Sequence, residues 1–412
     1  MVPARDLIRL NYGRALKADT RTPGKVPVFG TNGQCGWHDN SLAEGPGLIL
    51  GRKGQGPLGV EWCDTDFWVI DTAYYASTLT PNLDLKYLYH VIKYVGLNHL
   101  KDGTSNPTLS RDTFGAQLLP VPPLAKQRGI AAVLGALDDK IELNRRMNAT
   151  LEATARALFQ SWFVDFDPVR AKLDGRSPAG LDSDTADLFP VTFQDSPLGP
   201  IPDGWSARSL PDVVEVNPRR SLKSGTVAPY LDMKNLPTRG HSADEVVDRE
   251  FSSGTKFRNG DTLLARITPC LENGKTGYVD FLEKDQVGWG STEFIVLAPK
   301  PPLPPQFGYL LARSDELRSH AIRNMTGTSG RQRVPSECFN TFLVAVPTPD
   351  IARRFDEFTS PLMARIKANA GESRTLATLR DTLLPKLLSG ELSVAGLNNP
   401  EFPEGSSRGL TT

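Results

Sequence analysis

Ile130-Ala131-Ala132-Val133-Leu134-Gly135-Ala136-Leu137-Asp138-Asp139-Lys140-Ile141-Glu142-Leu143-Asn144 sets Ile130, Leu134, Leu137 and Ile141 at alternating steps of four and three residues, with charges between them. Continued in the same register, the a-type positions are Ile130, Leu137, Asn144, Leu151 and Leu158. The d-type positions are Leu134, Ile141, Asn148, Ala155 and Trp162. That period belongs to a helix burying one narrow stripe against another helix. Ala125 to Phe163 is 39 residues, about 58 Å of helix at 1.5 Å per residue. So long and one-sided a helix does not stand alone in water. Pro122-Pro123 marks its start and Asp167-Pro168 its stop.

The partner is written in the same chain. A shift of 225 positions, without gaps, carries Pro122 onto Pro347, Arg128 onto Arg353, Ile141 onto Ile366, Asn144 onto Asn369, Leu151 onto Leu376 and Leu158 onto Leu383. The second seam reads Phe355, Leu362, Asn369, Leu376, Leu383 and Thr359, Ile366, Ser373, Arg380, Leu387. It is poorer, because Thr359 and Arg380 interrupt it. Each apolar seam residue gains about 1.5–3 kcal/mol on burial, so the two helices are expected to bury their seams against each other. Asn144 and Asn369 either form a polar layer that fixes register or, if the register slips by one, face solvent. Pro385 is expected to kink or end the second helix one turn early.

Each helix follows a proline-flanked apolar strand ending, Leu118-Leu119-Pro120 and Phe342-Leu343-Val344. Upstream the repeat is looser: Gly47-Leu48-Ile49-Leu50-Gly51-Arg52 is similar to Gly260-Asp261-Thr262-Leu263-Leu264-Ala265-Arg266, and Gly103-Thr104-Ser105 to Gly327-Thr328-Ser329. Short β-type runs at Leu48–Leu50, Phe67–Ile70, Thr262–Ala265 and Phe294–Leu297 are separated by Gly, Asn, Asp and Pro turns. Helices are expected at Leu85–Val95 and across Phe307–Arg323. The predicted fold class is α+β: two β-rich blocks, 1–124 and 205–349, and two long helices, 125–166 and 350–390. A surface linker is expected over 167–204 and a flexible tail over 391–412.

Composition narrows the functions. Of 412 residues, 39% are hydrophobic, and Lys+Arg and Asp+Glu are both 47, so no bulk polycation coats nucleic acid, although a local basic cleft is allowed. Met1–Asp6 has no apolar core, so no signal peptide is expected, and no run approaches the roughly 18 apolar residues of a membrane span. Four cysteines without a CxxC pair argue against a disulfide framework or structural zinc and for a cytoplasmic protein. Gly54-Gln55-Gly56-Pro57-Leu58-Gly59 fits G-x-G-x-x-G but carries Pro57 and no following helix. Gly274-Lys275-Thr276 ends like a P-loop, yet Pro269 stands at its first glycine. No Asn-Pro-Pro-aromatic run, HExxH or HxxxH spacing, or nucleophile–base set can be singled out. No catalytic residue and no metal site is expected.

What remains is a set of polar, basic loops. Asn32, Gln34, Arg52, Lys53, Gln55, Lys101, Thr104, Ser105 and Asn106 belong to the first block. Arg266, Asn273, Lys275, Thr328, Ser329, Arg331, Gln332 and Arg333 belong to the second. Arg, Lys, Asn and Gln read base edges in the major groove, and Ser, Thr and glycine-flanked N–H groups suit phosphates. These residues are the candidate DNA contacts. A stand-alone DNA-modifying enzyme and a protein-only coiled-coil scaffold are the alternatives. The first conflicts with the missing methylation and phosphate-binding motifs, the second with the paired loops.

Val121-Pro122-Pro123-Leu124-Ala125-Lys126-Gln127-Arg128-Gly129-Ile130, continuing through Leu137-Asp138-Asp139-Lys140-Ile141-Glu142-Leu143-Asn144, closely resembles the central repeat of type I restriction–modification specificity (S) subunits. Gly260 to Leu271, Gly327 to Arg333 and Leu384-Pro385-Lys386-Leu387-Leu388-Ser389-Gly390-Glu391-Leu392 are similar to further stretches of that family. The resemblance implies two target recognition domains, each reading one half of a bipartite double-stranded DNA site. It implies an antiparallel helix pair that sets the spacer and docks two methyltransferase (modification) subunits, which in turn hold endonuclease/translocase (restriction) subunits. S-adenosylmethionine, ATP and Mg would belong to those partners, and the chain itself would need no cofactor. One departure is that little precedes the first recognition motif to match Asp203-Gly204-Trp205 of the second half.

Overall fold

The computed structural model describes residues 1–328 and 330–394. The chain divides into two compact units, Met1–Glu142 with the segment from Arg374 onward, and Leu143–Ser373.

The first unit holds β1 (Val2–Pro3), β2 (Ile8–Tyr12), β3 (Val26–Gly30), β4 (Gly33–His38), β5 (Gly47–Gly51), β6 (Val60–Cys63), β7 (Trp68–Val69), β8 (Ala73–Thr78), β9 (Lys101–Asp102), β10 (Thr108–Leu109) and β11 (Leu118–Leu119). Its main sheet is ordered β2-β8-β5-β6, and a second sheet is ordered β4-β3-β7 with β3 and β7 parallel. All five β5 residues are buried, as expected for an apolar run in a central strand. Leu85–Val95 forms the expected helix, with Asp84 capping the Tyr87 N–H, and it buries Leu88, Val91 and Ile92.

The second unit holds β12 (Phe193–Gln194), β13 (Ile201–Pro202), β14 (Ser206–Ser209), β15 (Val214–Val216), β16 (Val227–Leu231), β17 (Val247–Glu250), β18 (Thr255–Phe257), β19 (Thr262–Ala265), β20 (Thr276–Tyr278), β21 (Gly288–Gly290), β22 (Phe294–Pro299) and β23 (Leu343–Val346). Its main sheet, β15-β22-β19-β20, repeats the order of the first, and β16 lies parallel to β21 as β3 does to β7. The loose upstream repeat is therefore a repeat of topology. The entry pairing differs in length: β1–β11 makes two residue pairs and β14–β23 four. The helix expected across Phe307–Arg323 is two helices, Pro305–Ala312 and Asp315–Arg323. They are broken where the Ser314 side chain accepts the Leu317 N–H and restarts the turn.

The first long helix runs Leu124–Phe163 and the second Pro349–Ser389. Within the first unit Ile130 and Leu134 are buried in one core with Leu384 and Leu387, while Leu137, Ile141, Leu376 and Leu383 are half-buried. Pro385 does not end the second helix early. Burial of Leu384 and Leu387 beside it outweighs the lost backbone bond, and Gly390 at φ 86° closes the helix instead. Within the second unit Trp162 stacks near Phe355 and Phe358, at centroid distances of 5.8 and 5.9 Å, Ile366 is buried, and Leu151, Leu158 and Leu362 pack against the same core. Contacts run in opposite chain directions within each unit, so the pairing is antiparallel.

Asn144 and Asn369 do form a polar layer, and both are buried. Asn144 Nδ2 donates to Glu372 Oε2 at 2.8 Å, and Asn369 Nδ2 to Asn148 Oδ1 at 2.8 Å. Arg380, expected to interrupt the seam, instead donates to Asp138 Oδ1 at 2.6 Å, and Asp138 also accepts from Tyr89 Oη at 3.4 Å.

The stretch expected to be a surface linker carries helices Asp167–Leu173 and Ser183–Asp187 and the β12–β13 ladder. It also buries Val169, Phe189 and Ile201 in the second core. Of the expected tail, Val394 is buried in the first core, and residues 395–412 lie outside the described residues. Among the described residues no helix is long and apolar enough to cross a membrane.

His90, buried beside Asp138 at 3.7 Å, has its pKa pushed down to about 4 by burial, which Asp138 partly opposes. Its folded value lies below its unfolded one, so between the two the unfolded chain binds the extra proton and stability falls as pH falls. Unfolding midpoints in urea should show the first unit losing on the order of 3 kcal/mol from pH 6.5 to 4. A His90→Gln chain should lack that component, and an equally acid-sensitive His90→Gln chain would assign it to other groups.

Candidate nucleic-acid interface

In the first unit β5 ends at Gly51, where a Cβ would stand 2.3 Å from the Thr31 carbonyl oxygen and 2.9 Å from the Gly59 nitrogen. Only glycine lets the chain turn there into Arg52. The Arg52 N–H donates to Thr72 O at 2.9 Å, and its carbonyl accepts the Leu109 N–H at 2.7 Å. Lys53 bridges to Thr108, and the Gly54 N–H donates to Pro107 O at 3.0 Å. These bonds lace the loop after β5 to the β9–β10 hairpin.

The second unit repeats this lacing. The Arg266 N–H donates to Glu293 O at 2.9 Å, its carbonyl accepts the Val334 N–H at 2.9 Å, and Ile267 bridges to Arg333. By these pairings Arg52 corresponds to Arg266, Thr72 to Glu293, Thr108 to Arg333 and Leu109 to Val334. Asp102 pairs with Thr108 as Thr326 pairs with Arg333, so Gly103-Thr104 and Gly327-Thr328 occupy the same place in the two heads. Ser329 lies outside the described residues.

Several candidate cations face inward. Lys101 Nζ donates to the Gly56 and Gly54 carbonyls at 2.9 and 3.2 Å, and Lys53 Nζ to Asp71 Oδ2 at 2.9 Å. Lys275 Nζ donates to the carbonyls of Met233, Lys234 and Leu236 at 2.7, 2.9 and 3.0 Å. Gln55 Nε2 holds the Ser105 carbonyl at 2.8 Å. Arg52 Nη1 donates to Asp71 O at 2.9 Å, and Arg266 Nε is buried without a partner. Arg333 forms a fork onto Glu293, at 2.7 Å from Nη2 and 2.9 Å from Nε, and these bonds push its pKa up. Lys101, Lys53, Lys275, Gln55, Arg52 and Arg333 thus brace the loops through their side chains.

The exposed polar groups are fewer. Asn32, Gln34, Thr104, Ser105 and Asn106 are exposed in the first unit, and Thr328 and Arg331 in the second. The Arg331 side chain has no hydrogen bond or ion pair among the described residues, and Gln332 is engaged through its carbonyl by the Thr268 N–H at 3.0 Å. Asn273 is exposed but stands apart from this hairpin, on the β19–β20 loop that Lys275 ties to Met233–Leu236.

Sequence reasoning missed Arg313, whose guanidinium holds the carbonyls of Thr238, Gly274 and Thr276 at 2.8, 2.8 and 2.7 Å and so fixes the β19–β20 loop. It also missed Tyr12 and Arg111: the Tyr12 ring meets both the Arg52 and the Arg111 guanidinium. An arginine at a helix end and a tyrosine in a strand carry no distinguishing local pattern.

Each unit is thus β-rich, with a laced polar hairpin beside a strand-end arginine, and the two units repeat one sheet order. Residues 1–153 match the family described as "Type I restriction modification DNA specificity domain". The type I restriction enzyme HindI specificity subunit of Haemophilus influenzae is 24% identical over 330 residues, 69% of this chain and 71% of that protein. The type I restriction enzyme MjaIX specificity subunit of Methanocaldococcus jannaschii is 26% identical over 328 residues, 76% of this chain and 70% of that protein. The fold is shared with the crystal structure of the type-I restriction-modification system S subunit from M. genitalium, at a TM-score of 0.54 and 17% identity over 93% of this chain and 94% of that one. The chain is thus similar to a type I restriction modification DNA specificity domain over residues 1–153 and to type I specificity subunits over 69% and 76% of its length.

Proposed function

We propose that the two heads, 1–124 and 205–349, each read one half of an interrupted duplex target. Helices 125–166 and 350–390 set the number of base pairs between the halves and dock two methyltransferase subunits, with 167–204 joining the two halves of the chain and 391–412 as a tail. The chain itself carries no reaction. It delivers an adenine-N6 methyltransferase and, through it, an ATP-dependent endonuclease–translocase, in the cytoplasm of a prokaryote. S-adenosylmethionine, ATP and Mg reside in those partners. The observation that carries this reading is the matched lacing at Arg52 and Arg266, which supports the same loop geometry with different exposed side chains and so gives two heads different sequence preferences. Labelled methyl donor with DNA and this chain alone should give no incorporation, and robust transfer would reject the reading.

Within the second head Arg331 and Arg333 should behave differently. Arg331→Ala should cost about 1–3 kcal/mol of base discrimination at one half-site and leave the melting temperature unchanged. Arg333→Ala bares the Glu293 carboxylate, so its weakened DNA affinity should be restored by adding Glu293→Gln. Competition binding against half-site variants measures both, and identical behaviour of the two arginines would contradict this division.

A further inference from the structure

Tyr12, nearly half exposed, lies between two cations of the first unit: the Arg52 guanidinium carbon is 4.8 Å and that of Arg111 4.7 Å from its ring centroid. Arg52 also sits 5.7 Å from the Tyr74 ring, and Tyr74 packs 5.2 Å from Tyr12. The rings orient both guanidiniums by cation–π attraction without neutralising them. Among the described residues neither forms an ion pair: the Asp71 carboxylate is taken by Lys53, and Arg52 reaches only the Asp71 carbonyl. Arg111 is exposed, and the stack is its only side-chain contact of this kind among the described residues.

The second head differs at each of these places. Extending the β15–β22 register puts Pro218 where Tyr12 stands, and the Val334 correspondence puts Ser336 where Arg111 stands. Glu293, in the place of Thr72, supplies a carboxylate to that rim. One head therefore carries an uncompensated, pre-oriented pair of cations beside its recognition hairpin, and the other does not.

We infer that Arg111, held over Tyr12 beside Arg52, binds a backbone phosphate of the duplex next to the first half-site. This rests on the DNA-reading function above and assigns a sequence-independent contact to one head. Binding of the full chain to a short mixed-sequence duplex is measured across a salt series. Wild type should lose log affinity linearly with log salt, and Arg111→Gln should make that slope shallower by about 0.9, the share of one phosphate. Arg111→Lys should restore the slope, Tyr12→Phe should leave it unchanged, and Tyr12→Ala should make it shallower, all at unchanged melting temperature. An Arg111→Gln slope parallel to a salt-dependent wild type would overturn this contact alone. That includes the outcome in which Arg111→Gln weakens only assembly with a methyltransferase subunit. A wild type without salt-dependent DNA affinity would overturn the DNA-reading function as well.

Discussion

Trp162→Ala should destabilise the second unit by about 3–5 kcal/mol, the range for truncating a large buried aromatic. Trp162 is 1% exposed and has Phe189, Phe355, Phe358 and Phe163 at centroid distances of 5.0, 5.8, 5.9 and 6.4 Å. Phe189 comes from the segment between the halves and Phe355 and Phe358 from the second long helix, so one side chain joins three parts of this unit. The surrounding rings are held by further aromatic neighbours, such as Phe163 at 4.8 Å from Phe355, so the void cannot collapse easily. For a body of this size the loss corresponds to a melting shift of roughly 10 °C. Calorimetry measures it, and Trp162→Phe should recover more than half. A loss under about 1 kcal/mol would mean that the aromatic cluster does not hold the second unit together.

Asp138→Ala should cost about 2–4 kcal/mol in the first unit. Asp138 and Arg380 have side chains only 19% and 16% exposed, and they meet at 2.6 Å. Removing the carboxylate leaves the guanidinium half-buried without its main counter-charge, and the cost of breaking such a pair comes mostly from the charge left behind. Lys93 donates to Tyr89, whose hydroxyl bonds Asp138, so a second cation loses support. Asp381, which also accepts from Arg380 at 2.8 Å, is exposed and offsets part of the loss. The double change Asp138→Leu with Arg380→Leu should return stability to near wild type, because an apolar pair can replace a buried ion pair without leaving a charge unmatched. Chemical unfolding of the three chains decides this. If Asp138→Ala were silent, the pair would be a solvent-screened contact.

The long helices were legible in the sequence because burial on one face of a helix leaves a period, and Ile130, Leu134, Phe355 and Ile366 all fall on it. The duplication was legible for the same reason, and in the heads the Gly-Thr tips and strand-end arginines fell at corresponding places. Arg380 read as a fault in the seam because its partner, Asp138, is 242 residues away, beyond any local pattern. The stretch 167–204 read as a linker because its anchors Val169, Phe189 and Ile201 are too sparse to show a period. The direction of loop cations was the least legible property. Lys101 and Lys275 look like DNA contacts by type and place, yet each ammonium is spent on backbone carbonyls. Those carbonyls come from turns elsewhere in the fold, and only tertiary structure brings them within reach.

In the function proposed above, the two heads read two separate half-sites. Sequencing adenine methylation in genomic DNA from cells expressing this chain with its methyltransferase measures that most directly. The result expected is an interrupted motif, two short defined stretches flanking unspecified bases, with Arg331→Ala relaxing one stretch and leaving the other intact. A single uninterrupted motif, or equal relaxation of both stretches by Arg331→Ala, would contradict it.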